Sequence, residues 1–412
     1  MRRVAWVLLL LFAFAIPWEY SLDLGEPLGN VARIAGLLVL VAAIPAVLQA
    51  GRVRTPGAFW WLTLALYLWF CCSYFWTIDS LATLERIRGY FQEMMIVWLV
   101  WEFAATPADL RALLRATVAG SWVLALLTLA AFRSPEAIAA GQIRFAAYGQ
   151  DPNDVARFLD LGFPLAALLL NCERRWPARL VALGFFPLGL VAVLLTASRE
   201  GFLAAVIALG GSVLLLTVGH ARRVVAAVFA LPSVLAALWF IVPSGTLARL
   251  ATIPEQLRSG DLNQRFNIWS AGWRAFVHAP LLGTGAGSFV AAAHLAPIDT
   301  AHNTALSIAV SGGLCALFLA TLLVALAVRC AFATRGPLRL ALVTSLMVWA
   351  MTSVVATVED NRTTWLLFAL IAAAGRLAAE DPDGLAACFS TTPLRPAPVS
   401  HPTLPLTVQP ES

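Results

Sequence analysis

The chain has 412 residues, of which 60% are hydrophobic and only 12% are charged, with a formal net charge of +5. Soluble domains carry roughly 25% charged residues, so this composition excludes an ordinary soluble protein. The small net charge for this length gives no indication of a nucleic-acid partner. Apolar runs of the length that crosses a bilayer recur along the chain, without the alternation of a membrane β-barrel. The sequence therefore predicts an all-α integral membrane protein.

About twelve apolar runs follow one another in chain order. They cover residues 4–17, 31–49, 59–76, 90–105, 113–132, 155–171, 180–197, 201–218, 224–243, 304–328, 340–358 and 365–377. All 28 basic residues are Arg, and their distribution between the runs predicts that both termini are cytoplasmic. We therefore expect a transmembrane domain over residues 1–378, interrupted by one large outer loop over residues 244–301 that carries short helices.

The remaining features of the chain are simpler. The Pro-rich segment 379–412 is predicted to be a disordered cytoplasmic tail. The six Cys residues are scattered in or beside apolar runs. Their spacing indicates neither a disulfide framework nor a metal site, and no cofactor is expected.

Arginines on the outer side are exceptions to the charge distribution that normally orients membrane proteins. In this topology the outer face carries Arg86, Arg88, Arg144, Arg157, Arg199, Arg249, Arg258, Arg265 and Arg274. Guanidinium groups bind phosphate or carboxylate in a two-pronged geometry, so this face suggests an anionic ligand. The alternative is that these are ordinary loop arginines, paired with Glu85, Asp151, Asp154 and Glu255.

Arg199 is a special case, because it lies in a very short tip between two apolar runs. A charge at this depth costs at least a few kcal/mol and marks a candidate functional residue. Its neighbour Glu200 can also be read as a purely structural partner.

The stretch from Asp261 to Gly313 does not read as a plain membrane span. Asp261 and Gln264 have capping-box spacing, which predicts a helix that starts there and ends near Ala279, before Pro280. Arg265 and Trp269 lie on one side of that helix, as in a helix lying flat on a membrane surface. The glycines that follow, Gly283 and Gly285 among them, can form a phosphate cradle or merely a flexible turn.

His302 and Asn303 come next, directly before a long apolar run. An imidazole can take a proton from a hydroxyl group, as a general base must in transfer to an alcohol. The alternative interpretation is an interfacial polar residue at the end of a span.

These motifs together resemble the O-antigen ligase and polymerase superfamily of bacterial inner-membrane glycosyltransferases. The resemblance covers residues 151–313. It consists of Asp151-Pro152-Asn153-Asp154, Ser198-Arg199, the run RFNIWSAGWRAFVHAPLLGTGAGSF over residues 265–289, and His302-Asn303 followed by Ser311-Gly312-Gly313. Within the run, the matching positions are Arg265, Trp269, Pro280, Leu281, Gly283 and Gly285.

The resemblance implies a GT-C-like fold and a metal-independent, inverting transfer of a glycan from undecaprenyl diphosphate to a hydroxyl acceptor on the periplasmic side. His302, Arg265 and Arg199 are then expected to be catalytic. Substrate contacts are expected from Asn303, Trp269, Gly283, Gly285, Asp151, Asn153 and Arg88. The partners would be the lipid-linked donor, the acceptor and membrane lipids.

The acceptor is open at this point. An O-antigen ligase uses lipid A-core, whereas a polymerase of O-antigen or exopolysaccharide uses a growing glycan, and a protein-glycosylating relative is a variant of the polymerase. A transporter of lipid-linked sugars belongs to a different class. It would show broken spans in corresponding places of two internal repeats, and the sequence has none.

Overall fold

The computed structural model describes residues 1–25, 29–218, 242–259, 264–297 and 299–390. The regular secondary structure in these ranges is helical, apart from one isolated β-bridge between Asp23 and Asn30. The long helices are α1 Arg2–Ala15, α2 Val31–Ala50, α3 Ala58–Cys72, α4 Ser80–Phe103, α5 Pro107–Phe132, α7 Pro152–Cys172, α8 Trp176–Leu195, α9 Arg199–Thr217, α12 Arg265–His278, α14 Thr304–Ala333, α15 Gly336–Val355 and α16 Arg362–Glu380. The short ones are α6 Pro135–Ala139, α10 Ser244–Ala251, α11 Ile253–Ser259, α13 Phe289–Ala292 and α17 Pro382–Cys388, with 3₁₀ turns at Ile16–Ser21 and Ser73–Phe75.

Ten helices in the described ranges are long and apolar enough to cross a membrane. This confirms an all-α, multi-pass membrane protein. The expected count was about twelve. The span predicted at residues 224–243 lies almost entirely outside the described residues.

The α4 helix accounts for the remaining difference in the number of spans, because it contains too many charged residues to qualify as a span by composition. The sequence predicted an outer connection over residues 77–89, but α4 begins at Ser80 because Asp79 accepts a hydrogen bond from the backbone N–H of Ala82 at 3.0 Å. One charged group on its first turns, Arg86, forms an ion pair with Asp360 in the turn before α16. Pairing of this kind lets a charged segment stay helical at the edge of the membrane region.

The core is built around two helices that are enclosed by the others. In α7 the share of buried residues is 94%, and in α16 it is 83%. Small residues allow close helix packing in such bundles. At Gly201, for example, a Cβ atom would lie 2.3 Å from the side chain of Ala156, so α9 starts in direct contact with α7. That contact fixes the position of the first turn of α9, which carries Arg199.

Polar groups gather at the two ends of the bundle. We call one the terminal end, because it holds Met1, residues 104–106 and residues 381–390; Arg2 there donates to Glu102 at 2.9 Å. The other is the loop end, which holds residues 133–151, 196–198, 242–259, 264–297, 299–303 and 356–361. Contacts across the loop end include Arg362 with Glu19, and Thr246 Oγ1 with the carbonyl of Ile143 at 3.1 Å. The segments that were predicted to share the outer face thus do share one end.

The prediction of a disordered tail from residue 379 is wrong for its first part. The α17 helix folds back, Leu385 and Phe389 are buried, and Arg111 Nη1 donates to the carbonyl of Cys388 at 3.1 Å. Apolar side chains in this short segment explain why it packs instead of remaining in solvent. The Pro-rich remainder, residues 391–412, lies outside the described residues.

Candidate functional site

A cavity of about 250 Å³ at the loop end brings together residues from distant parts of the chain. Its charged and polar lining consists of Arg144, Asn153, Arg199, Glu200, Arg249, Gln256, Arg265 and His302. Four of the residues predicted from sequence are therefore in one place: His302, Arg265, Arg199 and Asn153. We call this cavity the basic cavity.

Arg199 is held by the tight turn between α8 and α9. Ser198 is the N-cap of α9, where its Oγ accepts a hydrogen bond from the N–H of Gly201 at 3.1 Å. The same Oγ lies 2.8 Å from Oδ1 of Asn153, to which it donates. Serine is a favoured N-cap because it satisfies an otherwise unpaired N–H of the first turn. The cap therefore fixes both the start of α9 and the orientation of Asn153.

Arg144 and Arg249 complete the arginine cluster. Arg144 donates from Nη2 to Asn153 at 2.8 Å and from Nε to the carbonyl of Thr196 at 3.3 Å. Arg249 donates from Nε to the carbonyl of Ala197 at 3.1 Å. Both were recognised in the sequence only as outer-face arginines, because neither belongs to a local motif. The fold brings them beside Arg199.

Glu200 is the ion-pair partner of Arg265, with 2.7 Å between Oε2 and Nη2. The sequence interpretation of Glu200 as a partner of its neighbour Arg199 did not foresee this contact, which joins α9 to α12. The exposed fractions of the two side chains are only 8% and 15%. Breaking such a buried pair leaves an uncompensated charge, so the pair holds Arg265 in place.

The basic cavity has more positive than negative charge among the described residues that line it. Four arginines face one carboxylate, that of Glu200. Burial, and then the neighbouring charge of Arg249, lower the pKa of Arg144 below its usual value. Mutual repulsion of this kind is relieved when an anion enters, and fixed guanidiniums are well suited to oxygen atoms of phosphate.

His302 lies at the edge of the cavity, and its backbone is held by α12. Trp269 Nε1 donates to the carbonyls of Ala301 and His302, at 3.1 Å and 3.3 Å. Burial, and secondly the charge of Arg265, lower the pKa of His302, while Asp151 acts in the opposite direction. The imidazole is therefore neutral near pH 7 and able to accept a proton.

Strained backbone conformations accompany these residues. Ala197, Gln264 and His302 have φ angles of +50°, +63° and +47°. Within the described ranges, His294 is the only other non-glycine residue with positive φ. Such conformations are uncommon for residues with a Cβ atom and tend to occur at functional sites. Here they lie directly before Ser198-Arg199, directly before Arg265, and at His302 itself.

The helix that carries Arg265 begins later than predicted. The capping-box interpretation started it at Asp261, which lies outside the described residues. Instead, α12 starts at Arg265, with Gln264 as its N-cap in the left-handed conformation. Its end at Ala279, before Pro280, is as predicted.

Asn303 and Asp151 have structural contacts beside the cavity. Asn303 caps α14: its Oδ1 accepts from the N–H of Leu306 at 2.8 Å, and its Nδ2 donates to the carbonyl of Val354 at 3.0 Å. Asp151 caps α7 by accepting from the N–H of Asn153 at 2.8 Å. Their expected role as substrate ligands stays a prediction, and their observed role is to position His302 and Asn153.

The glycine loop packs against α14. The N–H of Thr284 donates to the carbonyl of Val310 at 2.8 Å, and that of Gly285 donates to Ser311 at 2.9 Å. A Cβ on Gly283 would lie 2.5 Å from the nitrogen of Gly313, where α14 is kinked. These contacts require glycine for close approach and positive φ. They favour the turn interpretation over the phosphate cradle.

Arg88 lies away from the basic cavity. It lines a separate cavity at the loop end, together with Tyr20 and Tyr148.

Residues 180–321 match the family model described as O-Antigen ligase. The matched segment, about a third of the chain, runs from α8 into α14 and carries Arg199, Arg249, Arg265 and His302. This segment of the chain is similar to the O-antigen ligase family, in agreement with the resemblance seen in the sequence motifs. Arg144 and Asn153 reach the cavity from outside the family segment, so the preceding part of the chain completes the site. No curated protein matches the chain.

Proposed function

We propose that the chain is a member of the O-antigen ligase and polymerase superfamily and acts as an inner-membrane glycosyltransferase. It moves a glycan from undecaprenyl diphosphate to a hydroxyl group of lipid A-core at the periplasmic face. The observation that carries the proposal is the basic cavity, which is lined by four arginines together with a neutral histidine. A lipid-linked diphosphate is an anion held in the membrane, and the position of the cavity at one end of the bundle supports its entry from there.

The arginines act on the leaving group in this proposal. Negative charge grows on the diphosphate as the bond to the sugar breaks, and fixed cations that are already oriented stabilise it. Arg265 is oriented by Glu200, and Arg199 by the capped turn before α9. Arg144 and Arg249 donate to carbonyls of the same turn and add their charge there.

His302 acts on the acceptor. Its neutral imidazole takes the proton of the acceptor hydroxyl while that oxygen bonds to the anomeric carbon. The bond from this carbon to the diphosphate oxygen breaks, and its electron pair remains on the diphosphate. A single displacement inverts the anomeric configuration. The proton leaves His302 to solvent after release of the product, which restores the neutral base.

Metal independence is part of the proposal, with guanidinium groups taking the electrostatic role that a divalent cation has in other glycosyltransferases. No three His, Cys, Asp or Glu side chains in the described ranges are grouped as metal ligands. A direct measurement with a chelator tests this point.

The decisive experiment is a reconstituted transfer assay. Purified protein in liposomes receives undecaprenyl-diphosphate-linked glycan, with lipid A-core added or omitted and with EDTA present throughout. The expected result is glycosylated lipid A-core only when lipid A-core is added. Formation of elongated carrier-linked glycan without lipid A-core would mean that the protein is a polymerase and not a ligase. Movement of glycolipid across the bilayer without transfer would contradict both.

A further inference from the structure

A second cavity, of about 790 Å³, opens at the loop end between the 3₁₀ turn Ile16–Ser21 and the first turns of α2, α4 and α16. Its lining includes Tyr20, Asp23, Arg33, Glu85, Arg88 and Tyr148. None of these residues lines the basic cavity. We call this second cavity the tyrosine cavity.

The side chains of the tyrosine cavity fit a saccharide. Tyr148 is 83% exposed and Tyr20 is 39% exposed, so both rings can be approached from solvent. An aromatic ring presents an apolar face to the C–H groups of a sugar and a hydroxyl to its polar groups. The carboxylates of Asp23 and Glu85 accept hydrogen bonds from sugar hydroxyls, and the guanidinium of Arg88 donates to ring and hydroxyl oxygens.

The two cavities are joined by one loop that packs firmly on the bundle. Gln150 Nε2 donates to Ser21 Oγ at 3.1 Å. Gly149 has φ of +74°, and a Cβ atom there would lie 2.4 Å from the carbonyl oxygen of Tyr20. The loop therefore lies directly on the 3₁₀ turn and forms one wall of the tyrosine cavity.

The distance between the cavities suits an oligosaccharide. Arg144 lines the basic cavity and Tyr148 lines the tyrosine cavity, and four residues of chain span at most about 14 Å. A few linked sugars cover this distance.

We propose that the tyrosine cavity binds a saccharide several sugars away from the reacting carbon. This inference rests on the proposed glycosyl transfer and adds a recognition site to it. Both the donor glycan and the acceptor glycan have the required chemistry. The cavity increases the affinity for long glycans and leaves the chemical step unchanged.

The test uses Tyr148→Ala and Arg88→Gln in the full chain reconstituted in liposomes. Matched controls are Tyr74→Ala and Arg133→Gln, because both residues are exposed at the loop end and line neither cavity. One arm compares undecaprenyl diphosphate carrying a single sugar with the full-length donor. The other compares lipid A that carries only the innermost core sugar with complete lipid A-core.

Loss of one hydrogen bond to a charged group raises the KM of the full-length glycan about tenfold. We expect this increase in one arm only. The kcat and the KM of the truncated substrate should be unaffected, and the control variants should behave like wild type. The arm that responds identifies whether the glycan comes from the donor or the acceptor. A KM of the full-length glycan that equals the wild-type value in both variants, for donor and acceptor alike, would overturn the inference.

A binding measurement separates this inference from the proposed reaction. Delipidated oligosaccharides, from the donor and from lipid A-core, are tested by saturation-transfer NMR with protein in nanodiscs. Signals that Tyr148→Ala abolishes and Tyr74→Ala preserves support the saccharide site even if wild-type protein shows no transfer. Signals insensitive to Tyr148→Ala, or replaced by those of lipid headgroups, contradict it.

Discussion

The two ends of the helical bundle are both rich in arginine, but they use it differently. At the terminal end, arginines tie helix ends together: Arg2 contacts Glu102, and Arg115 contacts Glu173. At the loop end, Arg86 and Arg362 have the same task, with Asp360 and Glu19. The basic cavity is the exception, because its four arginines share a single carboxylate among the residues that line it.

The comparison shows that arginine content alone does not locate a functional site in this protein. What distinguishes the basic cavity is an imbalance of charge next to an enclosed space. A balanced pair holds helices together, whereas an unbalanced cluster is stabilised by an anionic ligand. Substitutions in the balanced pairs should therefore change stability, whereas substitutions in the basic cavity should change turnover.

The largest expected effect is that of His302→Ala. Removing a general base slows transfer by about 10²–10⁴-fold. His278→Ala is the matched control, because His278 is exposed on α12 and does not line the basic cavity. The measurement is single-turnover transfer in liposomes. Full activity of His302→Ala would remove His302 from the mechanism.

Arg265→Gln should come next, with a loss of about 10²–10³-fold in kcat, as for removal of one stabilising donor. The variant should also be less stable, because Glu200 is left buried without its partner. Adding Glu200→Gln should restore thermal stability without restoring turnover. At the terminal end, Arg115→Gln should leave kcat unchanged. Recovery of turnover in the double variant would reduce Arg265 to a structural residue.

Arg199→Lys tests geometry at constant charge. A lysine is a point charge without the planar fork, and losing one charge-assisted hydrogen bond slows transfer about tenfold. Arg335→Lys is the control, since its pair with Asp383 is exposed at the terminal end. Equal turnover of Arg199→Lys and wild type would mean that only positive charge is required at this position.

The smallest expected effect is a shift in the pH profile by Asp151→Asn. The charge of Asp151 raises the pKa of His302, against burial and Arg265, which lower it. Protonated His302 cannot act as a base, so activity falls as pH decreases through this pKa. Without the charge of Asp151 the pKa is lower still, and the acid limb of kcat/KM should move to lower pH. Asparagine also serves as an N-cap, so α7 is preserved.

The profile is measured over about pH 5 to 8, the range in which imidazole titrates. If the acid limb of kcat/KM in Asp151→Asn stays in place or moves to higher pH, the assignment of that limb to His302 is contradicted.

Helical class and much of the site could be predicted from sequence, because both depend on local patterns. The apolar runs predict the spans, and the short motifs identify Arg199, Arg265 and His302. Arg144 and Arg249 could not be identified as site residues, since their positions depend on contacts with a turn about fifty residues away. The Arg265–Glu200 pair joins two helices, and no spacing rule indicates such a contact. For the Gly283–Gly285 segment the sequence left a phosphate cradle and a turn open, and the structure favours the turn because the N–H groups of Thr284 and Gly285 donate to α14.

The residues with left-handed backbone conformation around the basic cavity have a consequence for attempts to make this protein more thermostable. A residue with a Cβ atom in this conformation costs roughly 1 kcal/mol that glycine would not. At exposed Gln264, glycine should therefore raise the melting temperature while loosening the backbone directly before Arg265. A screen for heat resistance would accept Gln264→Gly, and a screen for product formation would reject it.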